Sequence, residues 1–574
     1  MTTLNCRRIR SRHSRSFAPY AGLAHPGMLV GIAIALAACA PAGPRADLIL
    51  LGKVWTGDST HPSAEGIAIL GDTILYVGDS ARSLALADSN TQVLRNSGGL
   101  IVPGFMDDHV HLLDGGFQLS SVDLRDADSP AEFIRRIAAF ARERRPGEWI
   151  TGGDWDHERW PGAPLPRRAW IDSVTPNNPV FMSRLDGHMA LGNSLALKAG
   201  HIGRTTADIP GGTIVRDPKS REPTGVLKDE AMNPVFAVMP EATDEEVDGA
   251  LARAMQFAAS KGVTAVASVS ASWPQVAGLL RARVRGALSL RVSLYPPLED
   301  WRRVADSLRS RGPGDDWIRL AGVKGFVDGS LGSTTALFFE PYADDPTTSG
   351  LLVTPADSLR QRIGGADSAG LQVVVHAIGE KANALVLDIY DSVAQAHGPR
   401  DRRFRIEHAQ HLRPQEIPRF ARQGVLASMQ PYHAIDDGRW AGKRLGLRVS
   451  DSYVFRSLLD VHAHLLFGSD WTVAPIDPIL GIYAAVTRRT LDGKNPGGWL
   501  PQQKISVAEA LRAYTSENAY GVFAERSRGA LKPGYRADAV LLDQDLFAIP
   551  PEAIETARVR ATVTGGRIVY REAP

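Results

Sequence analysis

The chain has 574 residues, 44% of them hydrophobic and 22% charged. This composition excludes a disordered or fibrous protein and supplies apolar surface for an extensive core, and barrel folds reach such lengths as single domains. Five arginines (Arg7, Arg8, Arg10, Arg12, Arg15) precede residue 28, no acid comes before Asp47, and without those five 60 basic residues face 63 acidic ones. The formal charge of +2 therefore belongs to the leader, and nothing in the balance argues for a nucleic-acid partner.

The leader continues into MLVGIAIALAAC (28–39), an apolar run too short to span a bilayer as a stable helix. Its end, Leu36-Ala37-Ala38-Cys39, resembles a bacterial lipobox. On that reading residues 1–38 are a lipoprotein-type signal peptide, Cys39 is lipidated, and the protein is exported and held to a bacterial membrane on its periplasmic side. The alternatives are an ordinary secretory peptide, or translation starting at Met28. Cys6 and Cys39 are the chain's two cysteines, so the mature protein has no disulfide and relies on its core and on metals.

Residues 46–98 hold alternating strand-like runs, ADLILLGKVWTGD and GIAILGDTILYVGD, with Gly-Asp turns of hairpin type. Residues 100–105 are the first candidate barrel strand, leading into IVPGFMDDHVH (101–111), and the i, i+2 spacing sets His109 and His111 on one face as a chelating half-site. Helical periodicity marks 131–144 and 245–262. The stretch from about 115 to 255 is too long for a connecting loop and reads as an insertion with its own structure. Springing from a barrel strand end, it is placed to cover the mouth. Within it His157, Arg184, Asp186 and His188 are the candidates to reach substrate, the alternative being that they only hold the insertion together.

Further apolar runs at 263–269, 290–295, 318–326, 371–376, 403–408, 424–430 and 464–469 bring the count to eight, the number that closes a (β/α)₈ barrel. Lys324, His376, His408 and Asp470 stand at or next to the C-terminal ends of four of them, where such barrels keep their chemistry. A single polar residue there is ordinary; five strand ends carrying His, Lys or Asp are not. The final segment, from 529 onward, returns to hairpin-like runs.

The ordered set HxH, Lys, His, His, Asp resembles the amidohydrolase superfamily. The phrases VKGFVDGSLGSTTA (323–336), VHAIGE (375–380), RIEHAQ (405–410), SMQPYH (428–433), GSDWTVAPIDP (468–478) and SRLDGHMALGN (183–193) resemble amidohydrolase family 3, best described by N-substituted formamide deformylases. Glu380 and Thr472 depart from the family's usual Asp and Pro. The resemblance implies an α/β fold: a TIM-like barrel over 99–528, with 46–98 and 529–574 meeting in a small flanking β-sandwich. It implies a first metal on His109, His111 and Asp470, and a second on His376 and His408. A buried Lys324 has a lowered pKa, and its neutral amine can take up CO2 as a carbamate able to bridge both ions. His-rich ligation favours two zinc ions, with iron or manganese also suited. Asp470 is the expected proton carrier.

The expected activity is hydrolysis of a non-peptide carbon–nitrogen bond in a small amide, formamide or cyclic amide by metal-activated hydroxide. An esterase or lactonase on the same site, or a lipid-anchored binding protein without turnover, are the alternatives. The sequence leaves room for a homo-oligomer.

Overall fold

A computed structural model describes residues 45–573; Cys39 and the leader lie outside the described residues. Two parallel sheets form the centre. One is ordered β4-β3-β2-β1, from β1 (Phe105–Val110), β2 (Val263–Val269), β3 (Arg291–Tyr295) and β4 (Ile318–Leu320). The other runs β5 (Gly322–Phe326), β6 (Gln372–Ala377), β7 (Arg405–His408), β8 (Leu426–Met429) and β9 (Leu465–Phe467) in chain order. Their edges touch twice, through parallel bridges from Pro297 to Lys324 and from Val110 to Trp471. The arrangement is an α/β fold of TIM-barrel type.

Helices follow the strands and cover them. Thr243 caps the helix Asp244–Ser260 in a capping box with Glu246, and Val247, Ala250, Leu251, Ala254 and Ala258 recur at i, i+3 and i+4. That stripe joins Val263, Val266 and Val292 in one apolar cluster. Glu380–His397 does the same behind β6, with Val386, Leu387 and Tyr390 against Val373 and Val375.

The first barrel strand is a correction to the sequence reading, which placed it at 100–105. Leu100–Pro103 ends a longer strand, Gln92–Pro103, that pairs antiparallel with Ala539–Leu542 outside the barrel. The barrel strand starts at Phe105 and carries Asp107 and Asp108 fully inside. Burial of acids there is made tolerable by partners: Asp107 accepts from the backbone N–H of Ser469 at 2.9 Å, and Asp108 from Arg405 at 2.6 Å.

The two chain segments flanking the barrel, expected to meet in a small β-sandwich, meet in one seven-stranded sheet. Its two wings share a core, with Leu48, Leu50, Ile67 and Ile69 from one and Ala539, Leu541 and Val563 from the other. The expected insertion forms a six-stranded sheet from strands between Val122 and Asp229, with its own apolar clusters around Trp155, Phe133 and Met182 and around Phe181 and Leu227. Among the described residues no helix is long and apolar enough to cross a membrane.

Candidate metal centre

A cavity of about 520 Å³ opens at the C-terminal ends of the parallel strands, and His109, His111, Lys324, His376, His408 and Asp470 all line it. His109 is the penultimate residue of β1, and His111 stands one residue past the strand's end on the same side. Asp470 comes three residues after β9, and its backbone N–H donates to His109 O at 2.7 Å, pinning the two strand ends together. Gly468 makes the approach feasible, since a Cβ there would lie 2.6 Å from the His109 nitrogen. His408 and Asp470 hold left-handed backbone, with φ of 75° and 59°, a conformation that persists only where neighbours over-determine it.

Three of the four imidazoles have one nitrogen occupied behind the site. His109 Nδ1 donates to Glu407 Oε2 at 2.5 Å, His408 Nδ1 to Gln430 Oε1 at 2.9 Å, and His376 Nε2 to the Gly329 carbonyl at 3.1 Å. The opposite nitrogens are thereby left as lone pairs, the arrangement of orienting partners that metal-ligating histidines use. Nε2 atoms of His109 and His111 both stand 3.3 Å from Asp470 Oδ1. His109, His111 and Asp470 offer three ligand atoms within 4.8 Å of one another, and so do His408, His433 and Asp470. His376 completes neither trio, but its ring lies 4.5 Å from that of His408. Buried without a hydrogen-bond partner among the expected ligands are His109 Nε2 and Lys324 Nζ. Such orphaned donor atoms, in a set of imidazoles and one carboxylate, fit divalent metal ions.

Electrostatics point the same way. Burial, together with the charges of His188 and Lys324, pushes the His376 imidazole well below its ordinary pKa; burial does the same to His408. Both are neutral at pH 7, as ligands must be. Burial works against the Asp470 carboxylate, yet the imidazoles beside it, His109 foremost, hold it well below the usual range. Lys324, 1% exposed, is pushed down to about 8 by burial, despite the attraction of Glu407 and Asp470. About one lysine in ten is then an uncharged amine at pH 7.

The four insertion residues divide. His188 reaches the cavity with its ring 4.9 Å from that of His376, and Asp229 accepts from its Nδ1 at 2.6 Å. Arg184 and Asp186 also line the wall but are spent on each other at 2.6 Å, Arg184 further on Asp156 and Asp186 on Ser330 and Ser333. His157 is not brought to the cavity. It sits 3% exposed behind Arg184, whose Nε donates to its Nδ1 at 3.3 Å, so the expectation that it reaches substrate is not met. Glu407, Gln430 and His433 were missed as site residues, although RIEHAQ and SMQPYH contain all three; His433 alone had a usable signal, a histidine just past a buried strand.

The sequence profile described as "Amidohydrolase family" matches residues 97–570. Protein LONG AFTER FAR-RED 3 of Arabidopsis thaliana is 41% identical, with 92% of each chain covered. An N-substituted formamide deformylase of Arthrobacter pascens is 26% identical over 91% of this chain and 98% of its own. The crystal structure of an uncharacterized metal-dependent hydrolase from Pyrococcus horikoshii OT3 superposes with a TM-score of 0.70 at 31% identity, covering 88% of this chain and 99% of that one. With the profile spanning most of the chain and the strand-end histidines, lysine and aspartate gathered at one cavity, the chain belongs to the amidohydrolase family, as a metal-dependent hydrolase.

Proposed function

We propose that the protein hydrolyses a non-peptide carbon–nitrogen bond in a small amide, formamide or cyclic amide at a two-metal site. The observation that carries this reading is the convergence of His109, His111, Lys324, His376, His408 and Asp470 on a single cavity. The deformylase relative supports carbon–nitrogen chemistry. His109, His111 and Asp470 would hold one ion and His376 and His408 the other, zinc being the best match to this donor set. Uptake of CO2 by the neutral Lys324 amine, with loss of one proton, gives a carbamate whose two oxygens suit a bridging position. Divalent ions held by these residues would supply Lewis acidity, lowering the pKa of water and polarising a carbonyl.

The remaining work falls to the chain's own groups. Asp470, ionised at neutral pH, accepts the proton released from the attacking water and hands it to the leaving nitrogen. Phe117, Phe236, Met239 and Trp440 give the outer cavity an apolar wall that excludes water from the substrate's non-reacting end. With β4 and β5, one residue apart, counted as a single interrupted strand, the two parallel sheets are read as one closed eight-stranded barrel with a flanking β-sandwich, a reading supported by the bridges at both seams and by the core the outer sheet's wings share. The Leu36–Cys39 motif supports export and a lipid anchor at Cys39.

The test is a metal-quantified assay on N-benzylformamide, a cyclic amide and matched esters. The expected result is amide turnover that is lost on chelation and restored by zinc, manganese or ferrous ion. Turnover of esters with none of any amide would overturn the assignment.

A further inference from the structure

His433 is the cavity residue the proposed chemistry has not used. It lies in the first turn of the helix Pro431–Asp437, which begins two residues after β8, and its side chain lines the same cavity as the metal-ligand set. It is 7% exposed, and its Nε2 is buried without a hydrogen-bond partner. The other ring nitrogen, Nδ1, is 3.4 Å from Gln410 Nε2, which donates to it. An imidazole accepting at Nδ1 carries its proton on Nε2. That N–H faces Asp470, with Nε2 at 4.0 Å from Oδ2.

A separation of 4.0 Å is beyond hydrogen-bond range. The N–H is therefore not spent on Asp470 and stays open to an acceptor entering the cavity that His433 lines. The His433 ring is parallel to that of His408, 9° off with centroids 6.4 Å apart, so it stands beside the ligand histidines. Ligation through Nε2 would move the proton to Nδ1 and set it against the Gln410 N–H, donor against donor. A buried N–H donor with nothing to donate to implies an acceptor brought by something else. In an amide the acceptor that gains charge during attack is the carbonyl oxygen.

We propose that His433 is a catalytic residue of this site, its neutral imidazole donating the Nε2 proton in a hydrogen bond to the substrate's carbonyl oxygen as negative charge builds there. Gln410 is then a positioning residue that fixes the tautomer. The proposal rests on the amide-hydrolysis reading above. No proton leaves His433 and no covalent bond forms to it; a donor already aimed where charge develops is worth about 10²–10³ in kcat.

The experiment compares metal-loaded wild type with His433→Ala and His433→Gln on N-benzylformamide, measures metal per chain by elemental analysis, and locates the imidazole proton in wild type from ¹⁵N chemical shifts. The expected result is metal content equal to wild type, kcat lower by about 10²–10³ in His433→Ala with KM within about threefold, and a smaller loss in His433→Gln, whose amide can still donate. Metal lost in step with activity would make His433 a ligand and overturn the proposal. So would a proton on Nδ1, or kcat in His433→Ala equal to wild type. If His433→Ala fails to fold, His433→Gln and the proton position decide. A wild-type enzyme inert toward every amide defeats the proposed function itself and this proposal with it, whereas active wild type beside equally active His433→Ala defeats only the role of His433.

Discussion

Glu407 holds the centre together without lining it, and Glu407→Gln isolates what that support is worth. Its carboxylate accepts from His109 Nδ1 at 2.5 Å and from Ser428 Oγ at 2.7 Å on Oε2, and from Arg405 Nε on Oε1, all fully buried. Burial opposes its charge, yet Arg405 and His109 beside it hold the carboxyl far below the ordinary value. A glutamine keeps one acceptor oxygen and turns an N–H₂ toward either His109 or Arg405, donor against donor. Arg405 retains Asp108 at 2.6 Å, so no buried charge is wholly abandoned. The cost should then resemble one lost charged hydrogen bond, about 1.5–3 kcal/mol, below the roughly 3–5 kcal/mol of an orphaned buried ion. Where His109 is the group that slips, metal affinity should fall about 10–100-fold.

Competition with a chelator of known affinity measures the second number, and denaturant unfolding of apoprotein the first. The pH profile carries a sign of its own. A carboxylate with a depressed folded pKa adds stability that is full above its unfolded pKa of about 4.3 and is lost as pH falls toward the folded value. Glu407→Gln should therefore lose stability at neutral pH and show a flatter acid limb. Metal affinity within twofold of wild type, with unchanged stability at pH 7, would refute the account of His109 as a ligand aligned from behind.

Lys324→Ala should lose metal and activity together, and added short carboxylic acids should partly restore both by supplying a bridging carboxylate; wild-type activity with an unmodified lysine in a high-resolution crystal structure would rule out the carbamate. Asp470→Asn keeps one oxygen ligand and removes the base, so turnover should fall by about 10²–10⁴ while metal content falls little; near-wild-type turnover would end the proton-shuttle assignment. Cys39→Ser should move the protein from membranes to the soluble fraction, and a wild type that takes up no labelled palmitate would show the lipobox reading to be wrong.

The residues with strong local signatures were legible in the sequence. Lysine, histidine and aspartate at the ends of apolar runs are anomalous where they stand, and those runs lie within a residue or two of strands β2 to β9 at most of their boundaries. Strand β1 was misplaced because the apolar stretch ending at Pro103 belongs to a neighbouring sheet, while the barrel strand reads as polar through Asp107 and Asp108. Partners that make those acids tolerable, Ser469 and Arg405, come from 362 and 297 residues away. The same distance hid Glu407: within RIEH it is an acid beside an arginine, and only the folded barrel sets it against His109. His157 misled for the opposite reason, since its neighbours DWD and ER look solvent-facing while the fold turns His157 and Asp156 inward onto Arg184.

The seven-stranded sheet imposes an order on biosynthesis. Strand Gln92–Pro103 is flanked by Leu48–Trp55 on one side and Ala539–Leu542 on the other, so its second neighbour leaves the ribosome more than 400 residues after it does. Until then one edge stays open, offering unpaired N–H and C=O groups and the apolar run Leu100-Ile101-Val102 to any other nascent strand. Pairing at such separation is slow, because the loop between the partners must close before the contact rewards it. A chain cut before Ala539 would keep every residue of the metal cage and still expose that edge, which makes C-terminal nicking a route to aggregation with the chemistry intact.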